Sequence, residues 1–290
     1  MRTINANAND YMVTPGAQDG AGATTFWRLA GEIDDWEALA AALAARGIMH
    51  SPTPAEPEVA LHRAVKNLKG PRRLVRPLRK GAWAVIDEEL DAGADRLKHW
   101  DGPTIVMTSV GRPAFKNATP EEQKLVGQAY AHYLDALTTE DISSWLTSQV
   151  KRLNAVALRS GGGIYYLPPA VMPEWRKITE ALKEAAPGHT VHSMPTIQMT
   201  TDGAKAILDC LSEEIEERVA KVSEKVISGA LGVRALENRA DETKALLAKV
   251  VQYEGIMGER LDALRAHLAN LQTDLVAATL AAEAVATEGE

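Results

Sequence analysis

The chain has 290 residues, a length that corresponds to one large or two modest globular domains. Because 46% of the residues are hydrophobic, the chain can form a core. Its formal net charge of −7 argues against a protein that coats nucleic acid with its whole surface, although a local basic site is compatible with it. The single cysteine, Cys210, rules out an internal disulfide, and no apolar run reaches the roughly 20 residues of a membrane span. We therefore expect a cytoplasmic protein with no membrane contact and with Cys210 as a small buried residue.

The predicted fold class is α+β, followed by a C-terminal region of long helices. Residues 1–24 are rich in Gly, Ala, Asn and Thr and predict a flexible arm. A first α+β unit is predicted over 25–118. It starts with a helix capped by Asp34 or Asp35 and ended by Gly47, and a second helix over 58–68 follows.

A β-hairpin is predicted next, with Lys80-Gly81 as its corner. Pro77 cannot donate a ladder hydrogen bond, so its strand is expected at a sheet edge. Residues 103–110 predict a buried strand, whereas His99–Asp101 and the segment 112–120 are interpreted as loops.

A second α+β unit is predicted over 119–200. Thr119-Pro120-Glu121-Glu122 is a strong helix start, and Thr138 or Thr139 caps the next helix. A glycine turn between two strands, a short helix over 173–188 and a last strand near His189 follow. The order helix-helix-hairpin occurs over 34–88 and again over 120–168, so the two units are hypothesised to be winged-helix-like repeats.

Residues 201–290 predict a helical coiled-coil region. A single helix from about Arg234 to Val285 would be roughly 75 Å long. Its apolar seam keeps heptad spacing with one break, at Glu254, and needs a partner: the helix over 204–228 folded back, another subunit, or both. Because that helix is only about half as long, part of the distal seam is expected to meet another chain, and the alternative is an intramolecular bundle. We therefore expect a homo-oligomer that assembles through Leu247, Val250, Met257, Leu261, Leu264, Leu268, Leu271 and Leu275.

Positive charge is concentrated in the segment between Glu58 and Asp87, which has eight bases and no acid. The rest of the chain has 24 bases against 39 acids. A concentrated basic patch binds polyanions because each phosphate contact releases condensed counterions. Trp83 could stack on a base. The alternatives are ion pairing with acidic protein surface and a merely solvated face. The predicted nucleic-acid contacts in this segment are Arg63, Lys66, Lys69, Arg72, Arg73, Arg76, Arg79, Lys80 and Trp83.

The motif RSGGGIYYLP supplies a second candidate contact. Its glycines do not match a P-loop or a dinucleotide-binding turn, so a hairpin tip is the favoured interpretation. Arg159 and Tyr165 could meet the same ligand from this tip.

No catalytic motif, metal-ligand spacing or cofactor fingerprint is present in the sequence, and the seven histidines are scattered. The sequence therefore favours a non-catalytic oligomeric binding protein, with the basic hairpin at 63–80 on nucleic acid. The competing hypothesis is a self-assembling structural, adaptor or inhibitor protein whose bases meet an acidic protein partner. The small, alanine-rich chain has the character of a phage-type protein, and no motif supports that impression.

Overall fold

The computed structural model describes residues 20–91, 96–196, 199–229, 231–258 and 260–288. Its strands are β1 Ala23–Arg28, β2 Arg73–Arg79, β3 Ala82–Asp91, β4 Arg96–Met107, β5 Pro113–Lys116, β6 Val156–Ala157, β7 Tyr165–Leu167 and β8 Thr190–Pro195. Its helices are α1 Trp36–Ala45, α2 Pro57–Lys66, α3 Pro120–Asp135, α4 Thr139–Arg152, α5 Met172–Ala185, α6 Thr201–Ile227, α7 Val233–Met257 and α8 Asp262–Glu288. The α+β class is confirmed, and no helix in the described ranges is long and apolar enough to cross a bilayer.

The chain divides into two compact units that interleave along the sequence. The hairpin unit comprises Arg28–Ser148 and Arg176–Thr190. The helical unit comprises Gln149–Trp175, Val191–Glu290 and the described part of Met1–Trp27.

The hairpin unit contains an antiparallel sheet in the order β2-β3-β4-β5. The Lys80-Gly81 corner is confirmed, and Gly81 has φ +69°, which favours glycine. Pro77 lies in the edge strand β2, as its missing N–H requires.

Two loop predictions in this unit were wrong. His99–Asp101 belongs to β4, where each residue pairs with β3, and Pro113–Lys116 forms β5. Both stretches are short, and the ladder bonds to neighbouring strands decide their conformation rather than local propensity.

One face of this sheet packs on α2 and α3. Trp83, Val85 and Ile105 from the strands meet side chains of both helices, and burial of each large apolar group contributes about 1.5–3 kcal/mol. The helix partners include Leu61 and Val65 of α2 and Val126 and Tyr130 of α3.

The predicted helix caps of this unit are confirmed. Asp35 accepts the Ala38 N–H at 2.9 Å at the start of α1. Thr119 and Glu122 form a reciprocal capping box at the start of α3. Before α4, Thr138 and Asp141 exchange side-chain and backbone hydrogen bonds of 3.0 and 3.2 Å.

The helical unit contains the second sheet, in the order β6-β7-β1-β8. β1 pairs antiparallel with β7, and β7 with β6. Three consecutive glycines, Gly161–Gly163, turn the chain between β6 and β7 with φ of 79–92°, in agreement with the predicted glycine turn.

The C-terminal region differs from the prediction of one 75 Å helix. The helix ends at Met257, and Gly258 takes the left-handed conformation with φ +71°. Glu254, the residue that breaks the heptad pattern, accepts the Leu261 N–H at 2.8 Å and so supports the start of α8. The chain therefore turns back, and α8 packs on both α7 and α6.

Because α8 folds back, the apolar seam lies inside its own chain. Leu264, Leu268, Leu271 and Leu275 are at most 4% exposed. Leu264 and Leu268 share a core with Leu211 and Ile215 of α6 and Tyr253 of α7. Leu247, Val250, Met257 and Leu261 pack in the same core. Leu271 and Leu275 pack in a second cluster with Val222 of α6 and Leu236 of α7. The expectation that another chain covers part of this seam was wrong, and the alternative of an intramolecular bundle is the one that the structure has. Homo-oligomerisation stays a prediction that needs another surface.

Candidate nucleic-acid interface

The face of the β2-β3-β4-β5 sheet opposite α2 and α3 carries most of the candidate basic residues on β2. We call it the outer face. Trp83 and Ile105 point into the core, so their neighbours along each strand, Ala84 and Thr104, point to the outer face.

The register places side chains of this face in rows across the four strands. Arg76 pairs with Ala84, Ala84 with Thr104, and Thr104 with Lys116. This row has a base at each end and two small residues between them. The next row is Arg79, Ala82, Val106 and Ala114.

Acidic groups occupy the opposite end of the same face. Ile86 pairs with Asp101, and Glu88 pairs with His99, whose Nδ1 lies 3.5 Å from the Glu88 carboxylate. The positive part of the outer face is therefore limited to the end near the Lys80-Gly81 corner.

Arg63, a predicted contact, is a structural residue. Its Nη1 and Nη2 donate to the two carboxylate oxygens of Asp141, both at 2.7 Å. The two side chains are only 17% and 15% exposed. Burial raises the pKa of the Asp141 carboxyl, but hydrogen bonds from Arg63 and Thr138 outweigh this effect and hold that pKa below its ordinary value. Arg63 is thus committed to joining α2 to α4.

Arg73 is also engaged within the fold. Its guanidinium pairs with Glu122 of α3, and its Nε lies 3.1 Å from Asp87 of β3. Burial raises the pKa of Glu122, but hydrogen bonds from Thr119 and Arg73 bring it below its ordinary value. Arg73 therefore faces the helices and not the outer face.

Trp83 cannot stack on a nucleic-acid base, because it is 4% exposed. Its Nε1–H donates to His62 Nδ1 at 2.8 Å. Burial, with the charges of Lys66 and Arg63, lowers the pKa of His62, which keeps the imidazole neutral and able to accept this bond. The alternation along β3 puts Trp83 on the core face, and the outer-face rows contain no aromatic ring.

Six of the predicted bases remain exposed. Lys80 is 89% exposed and lies 3.8 Å from Glu58, which is a loose surface pair. The other five form no ion pair within the described part of the chain: Lys66, Lys69, Arg72, Arg76 and Arg79. Lys116, which the sequence interpretation did not include, joins Arg76 and Arg79 on the outer face.

Arg159 and Tyr165 belong to the helical unit. Tyr165 is 5% exposed and stacks on Trp27 with ring centroids 5.4 Å apart. Tyr165 therefore cannot meet a ligand as predicted, because the β7 strand places its ring in the core. Arg159 is exposed and its Nε–H donates to the Gly162 carbonyl at 3.1 Å, within the glycine turn.

A pocket of about 230 Å³ lies beside this turn and is lined by Cys210 and three glutamates of α6, among other residues. Burial, with the charges of Glu213 and Asp209, raises the pKa of the Cys210 thiol, which does not favour a nucleophile. In the ranges that the structure covers, no three His, Cys, Asp or Glu side chains are grouped as metal ligands.

A family model, described as a family of unknown function (DUF6744), matches residues 22–286. Because this match spans both compact units, the chain belongs to the DUF6744 family. Searches of curated proteins and of solved structures returned no match.

Proposed function

We propose that the protein is a non-catalytic nucleic-acid-binding protein that contacts the phosphate backbone through the exposed bases of the hairpin unit. The observation that carries the proposal is a group of exposed bases without ion-pair partners in a chain of net charge −7. In such a chain most bases can find acids, and Arg63 and Arg73 do. A set that remains unpaired on and near one strand is available for an external anion.

The chemistry favours backbone contact over base recognition. Arg76, Arg79 and Lys80 lie at or near the hairpin corner, and only small residues, Ala84 and Thr104, lie between Arg76 and Lys116 in their row. With no aromatic ring in the two described rows at the basic end of this face, affinity comes from charge neutralisation and counterion release. Binding is therefore expected to be steeply salt-dependent and to vary little with sequence.

Charge reversal tests this proposal. The variant carrying Arg72→Glu, Arg76→Glu and Arg79→Glu is expected to lose the binding of a labelled duplex at low salt, measured by fluorescence anisotropy. Lys124→Glu, Lys177→Glu and Lys183→Glu, all exposed in the same unit, make a control with the same change in net charge. Equal loss in both variants, or no binding by the wild type at low salt, would refute the proposal.

Two architectural hypotheses belong to the same proposal. The helix-helix-hairpin order of α1-α2-β2-β3 recurs in α3-α4-β6-β7, which supports winged-helix-like repeats, although the two hairpins lie in different sheets. The heptad spacing along α7 and α8 supports coiled-coil packing between the helices of one chain.

Self-assembly is proposed in addition, because two copies would present two basic faces to one polyanion and gain avidity. Exposed apolar side chains of α8, Val276 at 51% and Leu280 at 62%, offer a surface that the internal seam does not use. Light scattering with and without a duplex measures the mass directly. A monomer under both conditions would remove this part of the proposal.

The competing function is that of a structural, adaptor or inhibitor protein whose bases meet an acidic protein. Its specific support is Leu78, 59% exposed on β2 between Arg76 and Arg79, because an apolar side chain among bases is typical of protein interfaces. Binding to a duplex that persists in Leu78→Ser but is lost in the triple charge reversal would favour nucleic acid over this alternative.

A further inference from the structure

We infer that a phosphodiester backbone crosses the outer face from strand to strand, held at one end by Arg76 and at the other by Lys116. The inference deepens the proposed function and rests on it. It adds a contact residue outside the basic segment and assigns a path to the bound strand.

The path follows from the row Arg76-Ala84-Thr104-Lys116. Neighbouring strands lie about 4.8 Å apart, so the backbones of the two end residues are separated by about 14 Å. Arg and Lys side chains extend toward solvent from these ends, because Arg76 and Lys116 are exposed and neither forms an ion pair in the described ranges. Two cations at that separation can each meet a phosphate of the same backbone.

The floor between the two bases allows close approach. Ala84 projects only a methyl group, and Thr104 adds a hydroxyl that can donate to a phosphate oxygen. A long side chain at either central position of the row would stand between the backbone and the sheet.

The acids of the outer face restrict the direction of the path. Asp101 pairs with Ile86, beyond the register shift that follows Ala84, and Glu88 lies farther along β3. A polyanion that followed the strands toward these acids would be repelled. A path across the strands, near the Lys80-Gly81 corner, keeps the phosphates on the basic half of the face.

Lys116→Ala tests the inference. The measurement is the slope of the logarithm of the association constant, K, against the logarithm of the salt concentration for a mixed-sequence duplex. The expected result is weaker binding by similar factors for several unrelated sequences, with a slope smaller by about 1, as for one lost phosphate contact. The matched control is Lys124→Ala, because Lys124 is an exposed lysine of α3, the helix that covers the opposite face of the sheet. Its slope is expected to equal that of the wild type.

A variant of the floor and a variant of the acidic end provide independent readouts. Ala84→Glu should abolish binding with native circular dichroism, while Asp101→Asn should strengthen it, since a repelling charge is removed. Duplex DNA, duplex RNA and a single strand are compared to identify the preferred backbone.

The outcomes separate the two proposals. If Arg76→Ala lowers the salt slope and Lys116→Ala does not, the crossing path is wrong while the basic hairpin remains a binding site. If the wild type binds none of the three nucleic acids at low salt, both proposals are overturned.

Discussion

Replacing Arg63 with methionine tests the assignment of this arginine to the fold instead of to a ligand. The substitution removes two hydrogen bonds of 2.7 Å and leaves the 15% exposed Asp141 carboxylate with Thr138 as its remaining hydrogen-bond partner. Removal of one partner from a fully buried ion pair costs about 3–5 kcal/mol. Because methionine retains much of the packing and this pair touches solvent, we expect a loss of about 2 kcal/mol in the free energy of unfolding.

The loss should depend on pH in a defined direction. In the folded protein the pKa of Asp141 lies below its ordinary value of about 4, so its ionised form stabilises the fold. That contribution is complete above the unfolded pKa and disappears as the pH falls through the folded value. The difference between wild type and Arg63→Met is therefore expected to be constant near neutral pH and to shrink in the acid range below about pH 4.

Urea unfolding followed by circular dichroism measures the loss, and Lys66→Met is the control. Lys66 is an exposed, unpaired base on the same helix, so its replacement should change stability by no more than about 0.5 kcal/mol. Equal stability of the two variants would refute the structural role of Arg63. A larger loss of duplex affinity in Arg63→Met than in Lys66→Met would return Arg63 to the binding site.

The helical unit provides two further predictions. Lys249 is 6% exposed and donates to both Glu214 carboxylate oxygens at 2.9 Å and to the Ala155 carbonyl at 2.8 Å. Glu214→Gln, which leaves the ammonium buried without its counterion, should cost about 3 kcal/mol in urea unfolding, more than Lys249→Met. Burial lowers the pKa of Lys249, so the free energy of unfolding of the wild type should increase as the pH rises toward about 10. Lys249→Met should lack this increase. The same dependence of stability on alkaline pH in both proteins would contradict this reasoning. Leu268→Ala should cost about 3 kcal/mol, because it opens a cavity beside fully buried neighbours, without changing the mass measured by light scattering. A fall in mass at unchanged stability would place Leu268 in an interface between chains.

Local signals were sufficient for much of the fold. Asp35, Thr119 and Thr138 cap helices through contacts within a few residues, and Gly81 turns the hairpin, so a short stretch of sequence contains the whole cause. The heptad spacing likewise predicted which leucines are buried. It could not predict the partner, because an intramolecular and an intermolecular seam have the same spacing.

The errors arise where distant residues decide the structure. Distant acids decide which bases are paired within the fold and which stay available to a ligand. Arg63 pairs with Asp141, 78 residues away, and Arg73 pairs with Glu122, 49 residues away. Lys116 joins Arg76 only through the register of three strand pairs. Glu254 appeared as a flaw in a heptad, whereas its carboxylate supports the turn that folds α8 back. None of these pairings leaves a local pattern.

A salt titration of the wild-type protein with a labelled duplex tests the central claim most directly. Arg72, Arg76, Arg79, Lys80 and Lys116 supply up to five phosphate contacts, and each contact contributes about −0.9 to the slope of log K against log salt for duplex DNA. We predict binding at low salt with a slope between about −3 and −4.5 and little variation among sequences. The absence of binding at low salt, or an affinity that does not change with salt, would contradict the account.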